Sequence, residues 1–310
     1  MTYSPYFDSK KSLKLFGLID NFNLIKNLYI TKKLPKVLML TGKKGSGKST
    51  LINHLMFYIF DQKNYQEKEN VLKTDSAFYN QFINNIFSNI IYLSGSNFKN
   101  IKIDDIRNLK IQISKTSISE KPRFIIFDDV ELFNINSLNA LLKVIEEPSK
   151  NNFFLLINNK SKPLIETIKS RCLDVQIILN EQKRLDIIKS LITRFEINPV
   201  IDPLTSKLTP GNFIIFNYIF ENNKISPDSE YLKNFNILLD LYKKNKEVIY
   251  IDMMIFLTDS YLNKLKNNNS FNNEKILEYK TFIYENINKF FLYNLNPNSL
   301  LNTINSKIND

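Results

Sequence analysis

Short apolar runs alternate with stretches at helical period through the first half of the chain. "VLML" (37–40), "NIIYL" (89–93), "FIIFDD" (124–129) and "FFLLI" (153–157) carry three or more apolar residues in a row rather than at every second position, and "DVQIIL" (174–179) does so at its end. Strands of that kind are buried on both faces, so with helical stretches between them they predict a parallel sheet covered by helices, an α/β class. In "NINSLNALLKVIEEPSK" the residues Leu138, Leu141, Leu142 and Ile145 recur at i, i+3, i+4 and i+7, one face of a helix that has to stop before Pro148. After about residue 180 the texture changes. "EQKRLDIIKSLITRF" predicts a helix, a stretch spaced by Pro199, Pro203 and Pro210 follows, and the remainder is helical in period with no clear strand. The polar tract "KNNNSFNNEK" (266–275) predicts a loop between two of these helices.

The stretch "VLMLTGKKGSGKST" (37–50) holds three of the chain's six glycines. Gly42, Gly47, Lys48 and Ser49 fit the spacing of a phosphate-binding loop, set between a predicted strand and the helical "STLINHLMFYIF". Glycines let the backbone there turn its N–H groups around phosphates, and the helix N-terminus adds partial positive charge. Lys48 is expected on the terminal phosphates and the Ser49 hydroxyl on Mg²⁺, with Gly45 and Thr50 completing a predicted ATP-binding set. The other half of such a site is a strand ending in acid, which "RFIIFDD" supplies. Asp128 is expected to hold Mg²⁺ through water, and Asp129 is a candidate to orient the attacking water. Glutamate, longer by one methylene, is the usual residue in that second role, and paired aspartates at a strand end are also ordinary turn residues.

The 310 residues leave room for two or three domains. Formal net charge is +11, and it is uneven: residues 1–50 carry ten Lys and two Asp, whereas 201–310 carry twelve basic and twelve acidic residues. Clustered lysines suit a nucleic-acid backbone through counterion release. The chain is rich in Lys, Asn and Ile throughout, so solvated surface explains them equally well. Cys172 is the single cysteine and His54 the single histidine. No internal disulfide and no Cys/His zinc site follow from such a set, and any metal is expected to be oxygen-bound. No apolar run approaches the roughly 18 residues that cross a bilayer, and the first twelve residues lack the apolar core of a secretory signal. The chain is expected in the cytoplasm, with no membrane partner.

"FIIFDDVELFNINSLNALLKVIEEPSKNNFFLLINN", followed by "LIETIKSRC", resembles the AAA+ clamp-loader subunits of bacterial DNA polymerase III, where strand, acidic pair, "NALLK.LEEP" helix, next strand and "SRC" come in this order. The resemblance takes in "KIDDIRNLKIQISKT" (102–116) and "LIDNFNLIKNLYITKKLPKVLMLTG", so it covers residues 12–180 and the helical remainder only in general character. It implies an AAA+ P-loop domain with a parallel sheet at 1–180, a helical lid at 181–235 and a helical collar at 236–310 through which five subunits form an open ring. Gamma and tau motor subunits of the family carry a four-cysteine zinc module between phosphate loop and acidic strand. This chain has no cysteine there, which favours the delta prime type.

Arg171 of "SRC" is by resemblance a finger acting in trans, a planar and permanently charged guanidinium that reaches a neighbour's γ-phosphate. The plain alternative is a surface arginine paired with an acid. Glu146 is a candidate subunit contact, while Lys143 can pair with Glu147 at i, i+4. Cys172 reads as a small buried residue. Asn158 and Asn159 stand where the family's polar sensor meets the γ-phosphate, and two asparagines at a strand end also make a turn. Two departures matter: "KLTPGNFIIF" has Gly211 and Asn212 where the motors place a sensor arginine, and Asp129 stands in place of glutamate. An intact phosphate loop beside two weakened catalytic elements implies binding without fast turnover and leaves open whether the chain is itself an enzyme. The expected function is that of a delta prime-like subunit binding ATP and Mg²⁺, with gamma/tau and delta subunits in a hetero-pentameric ring, the sliding clamp and primed DNA as partners. The alternative is a gamma/tau-like motor that hydrolyses ATP itself.

Overall fold

A computed structural model of the chain describes residues 8–95, 101–114, 121–148, 151–227, 230–268 and 272–309. The described elements run α1 (Ile19–Ile30), β1 (Val37–Thr41), α2 (Lys48–Phe60), β2 (Tyr65–Gln66), β3 (Val71–Leu72), α3 (Ala77–Ile83), β4 (Ile90–Ser94) and α4 (Ile103–Ser114). They continue with β5 (Arg123–Asp128), α5 (Ile135–Ile145), β6 (Asn152–Asn158), α6 (Glu166–Lys169), β7 (Leu173–Gln176) and α7 (Glu181–Phe195). Five helices follow: α8 (Pro210–Asn222), α9 (Tyr231–Asn245), α10 (Ile249–Asn267), α11 (Asn273–Tyr293) and α12 (Pro297–Asn309). Two units divide the chain, one of residues 2–197 with Thr209–Asn212, the other of Asn198–Leu208 with Phe213–Asp310.

In the first unit five parallel strands form one sheet in the order β4-β5-β6-β1-β7. The continuous apolar runs are explained by what lies on each face. Leu38, Leu40, Phe124, Ile126, Leu155 and Ile157 meet residues of α1, α2 and α3. Their alternates Val37, Met39, Ile125, Phe127, Phe154 and Leu156 meet residues of α4, α5 and α6. Successive side chains leave a strand on opposite faces, so a strand covered on both sides needs apolar residues at every position. Edge strand β7 lacks that cover: its residues are mostly exposed, and the strand predicted over 174–179 forms at Leu173–Gln176, with Ile178 left 78% exposed. The antiparallel pair β2–β3, two residues in each strand, has no counterpart in the sequence reading.

Asparagine, abundant in this chain, is used to start helices. The side chains of Asn134, Asn180 and Asn272 accept from the backbone N–H groups of Ser137, Lys183 and Lys275, each at 2.8 Å, capping α5, α7 and α11. Such a cap contributes about 1 kcal/mol relative to alanine. Helix α5 buries Leu138, Leu141 and Ile145 as its period predicted and ends at Ile145, ahead of Pro148.

The second unit is helical in its described residues. Phe216 and Phe220 of α8 stack at 6.2 Å and both meet Phe256 of α10. Tyr231 of α9 stacks on Tyr261 at 4.5 Å while its hydroxyl bonds Thr258, so one ring joins the apolar contact to a satisfied polar tip. Of the tract 266–275 predicted as a loop, residues 269–271 lie outside the described residues, and α10 and α11 end and begin on either side of them. Residues 115 and 116, part of the stretch matched to the family, also lie outside.

Candidate functional site

The turn from β1 to α2 is built as its glycines require. Gly45 and Gly47 have φ of +78° and +92°, the left-handed region that side chains resist, and Gly47 caps α2. Gly42 is needed for space, because a Cβ there would lie 2.5 Å from the Ile177 carbonyl oxygen. Lys48, the first residue of α2, is 2% exposed, and its ammonium donates to the carbonyls of Gly42 and Lys43, each at 2.8 Å, and to the Ser46 hydroxyl at 3.3 Å. Burial lowers its pKa to about 8, with Asp128, Glu131 and Asp129 pulling it back up. Thr50 follows Ser49 in the first turn of α2 and is half-buried.

The acidic strand arrives beside this turn. The Ser49 hydroxyl donates to Asp128 Oδ2 at 3.1 Å, so two residues 79 positions apart meet. Asp128 Oδ1 accepts the Asp129 backbone N–H at 2.9 Å, and Oδ2 also accepts the hydroxyl of Tyr92 from β4. Burial and the neighbouring Asp129 push the Asp128 carboxyl above the usual range, against its three donors. Asp129 sits in a left-handed turn at φ +51°, and its carboxylate accepts the Asn159 side-chain amide at 2.7 Å. Asn158 closes the turn after β6, its side chain accepting from Lys160 N–H and its carbonyl from Gly42 N–H.

Three features of this region go beyond the sequence reading. Tyr92 is the first. The second is Glu131, 1% exposed, whose Oε1 accepts the backbone N–H groups of Asn159 and Ser161 at 3.1 and 3.2 Å while Oε2 has no hydrogen-bond partner. The third is the segment that opens α8. Thr209 donates its hydroxyl to the Lys44 carbonyl at 2.7 Å, and Gly211 N–H donates to the Gly45 carbonyl at 2.8 Å. A Cβ on Gly211 would lie 2.9 Å from Gly45 Cα, so the residue that stands where an arginine was sought is small because two backbones touch there.

Arg171 is placed elsewhere. It follows α6, and its guanidinium holds Glu146 Oε1 at 2.8 Å and the Thr167 carbonyl at 2.9 Å. Glu146 therefore has a cation within the chain, and among the described residues Lys143 makes no ion pair with Glu147. Cys172 is half-buried rather than fully buried, its thiol donating to the Ile168 carbonyl; burial first and Asp174 second push it up to about 12, far from a thiolate. His54 is wholly buried in α2 between the Tyr65 hydroxyl at 3.0 Å and the Ser12 carbonyl at 2.9 Å, a structural tie. No described helix is long and apolar enough to cross a membrane, and no group of three or more His, Cys, Asp or Glu among the described residues could hold a metal.

A five-stranded parallel sheet with a glycine turn between β1 and α2 and a buried acid ending β5 is the α/β AAA+ arrangement, followed here by a helical C-terminal region. A gamma subunit-related protein of DNA polymerase III from Thermotoga maritima shares the fold at a TM-score of 0.51 and 18% identity, covering 92% of this chain and 98% of that one. Residues 19–181, just over half of the chain, match the family described as DNA polymerase III, delta subunit. The chain belongs to the DNA polymerase III clamp-loader family. A DNA polymerase III subunit delta′ from Buchnera aphidicola subsp. Baizongia pistaciae is 26% identical over 152 residues, 47% of this chain and 44% of the relative. Another, from Buchnera aphidicola subsp. Acyrthosiphon pisum, is 25% identical over 299 residues, 88% of this chain and 87% of the relative. Of four delta′ relatives, the one from Baizongia pistaciae included, the chain spans between 23% and 56% of the length. Subunits named gamma and tau match too, over less than half of this chain.

Proposed function

We propose that this chain is a delta prime-type subunit of a DNA polymerase III clamp loader that binds ATP with Mg²⁺, turns it over slowly or not at all, and offers Arg171 to a neighbouring subunit. The observation that carries the reading is the contrast inside one site: a complete phosphate loop with Lys48 at its centre, met by Thr209 and Gly211 in place of an arginine. The residues fit the ligand. Gly45 and Gly47 hold a left-handed cradle, α2 presents its N-terminus, and Ser49 already lies on Asp128, the hydroxyl and carboxylate that would hold a divalent cation. Such a cation, when bound, neutralises charge on the β- and γ-phosphates. Lys48 would leave the Gly42 and Lys43 carbonyls for the terminal phosphates, and Asn158 and Asn159 would line the far side. Asp129, bonded to Asn159, is poorly placed to orient water.

An alignment to a delta′ subunit over 88% of the chain and the lack of cysteine between residues 50 and 123 support delta prime over gamma or tau. The same reading carries the division into an AAA+ domain at 1–180, a lid at 181–235 and a collar at 236–310. It also carries the partners: gamma/tau and delta subunits in a five-membered cytoplasmic ring, the sliding clamp and primed DNA. Arg171 is half-exposed and its carboxylate partner is on the surface, so an incoming phosphate could take it over at small cost. The test is the DNA-stimulated ATPase rate of a loader reconstituted with gamma/tau and delta. Arg171→Ala is expected to reduce it by about 10³-fold at the neighbouring site, and Lys48→Ala to change it little. Loss with Lys48→Ala but not with Arg171→Ala would make this chain a motor in its own right.

A further inference from the structure

Tyr92 is the residue of this site that neither the phosphate-loop motif nor the acidic strand accounts for. It lies on β4 opposite Ile126 of β5, two register positions before the Ser94–Asp128 pair, so its side chain and that of Asp128 share a face of the sheet. Its hydroxyl donates to Asp128 Oδ2, the oxygen that Ser49 also uses. The ring is held in place. The Lys10 ammonium lies 4.8 Å from its centroid and is itself bonded to the Asn85 side chain, which fixes the short helix Ser9–Lys11 over the ring.

A carboxylate offers about four lone-pair sites to donors. Asp128 gives one to Asp129 N–H, one to Ser49 and one to Tyr92. Ser49 can keep its bond to Asp128 while its oxygen lone pairs turn to a cation, since donating and accepting use different parts of the hydroxyl. Tyr92 has no such second role. With Ser49 it fills both lone-pair sites of Asp128 Oδ2, the oxygen beside Ser49, and moving it aside would leave its hydroxyl without that partner.

We propose that Tyr92 is a positioning residue that occupies Asp128 Oδ2 in place of a magnesium-bound water, so that this chain binds ATP with little dependence on Mg²⁺. This rests on the nucleotide reading of the site. Affinity then comes from the loop N–H groups and Lys48, and the cation adds little because its usual anchor is engaged. Freeing that anchor should restore the cation's contribution.

The experiment is a titration of the full chain with a fluorescent ATP analogue, in excess Mg²⁺ and in EDTA, for the wild type and for Tyr92→Phe, which removes one oxygen and keeps the ring. Wild-type affinity is expected to agree within about threefold between the two conditions, and Tyr92→Phe to bind about tenfold more tightly with Mg²⁺ than without. Mn²⁺ binding to the nucleotide complex, read by electron paramagnetic resonance, should tighten in the same variant. A wild-type affinity that falls tenfold or more in EDTA overturns the proposal and leaves the nucleotide reading standing, even if the variant fails to fold. A folded variant with the wild type's flat response overturns it as well. Absence of ATP binding under both conditions overturns the proposal and the nucleotide reading together.

Discussion

The two halves of the site lie at the same end of one sheet and are held in opposite ways. The lysine of the loop after β1 is held from within the loop: Lys48 bonds carbonyls five and six residues back and a hydroxyl two residues back. The acid end of β5 is held from far along the chain, Asp128 by Tyr92 36 positions before it and Asp129 by Asn159 30 positions after it. A lysine held by its own loop can exchange those bonds for a phosphate one at a time. An acid end bound into neighbouring strands loses a buried partner with each group it releases, and each such loss costs roughly 1–3 kcal/mol. On the proposed function, that difference separates holding a nucleotide from cleaving it.

The strongest way to break the comparison is to spoil the loop's own geometry. Gly45→Ala places a methyl at φ +78°, 2.4 Å from the Thr209 hydroxyl and 2.8 Å from Asn212 N. Stability is expected to fall by about 2–4 kcal/mol and ATP affinity by more than tenfold, read by chemical denaturation and nucleotide titration. A variant as stable as the wild type would mean that the α8 segment does not rest on the loop.

A smaller effect tests how firmly the loop's helix is anchored. Burial holds His54 at about 4, against 6.5 for an exposed histidine, with the Ser12 carbonyl opposing. Below pH 6.5 the unfolded chain takes up a proton that the folded chain refuses, so stability present above that pH is lost as pH falls towards 4. Between pH 7 and pH 5 this amounts to about 2 kcal/mol, seen as a lower urea midpoint, and His54→Gln should flatten that part of the slope. Equal slopes in the two proteins would remove His54 from the account.

The smallest effect is expected outside both halves. The Arg171–Glu146 pair is half-exposed, so Glu146→Gln should change stability by less than about 1 kcal/mol while leaving Arg171 free to act elsewhere. A larger loss would make the arginine a structural residue and weaken its proposed role in trans.

How much was legible follows the same line. The loop declared itself because its chemistry is local: glycines, lysine and serine within nine residues, between a strand and a helix. The central strands and α5 declared themselves through period, and the acidic pair through its place at a strand end. Tyr92 did not, because a tyrosine inside "NIIYL" reads as one more core aromatic until the neighbouring strand brings Asp128 beside it. Glu131 in "VELF" looks like surface charge, and only the return of the chain after β6 buries it under Asn159 and Ser161. Gly211 was read as a missing arginine, whereas its lack of a side chain is what lets it meet Gly45. Cys172, expected to be buried, is only half covered because it immediately precedes the exposed edge strand β7.

The measurement that bears most directly on the account is a single-turnover experiment on the chain alone, loaded with γ-labelled ATP in Mg²⁺ and then chased, following retained nucleotide and released phosphate together. The account expects stoichiometric retention that Lys48→Ala abolishes, with intact ATP dissociating before phosphate is released. Rapid phosphate release by the isolated wild-type chain would contradict it, since the acid end would then cleave what the loop holds.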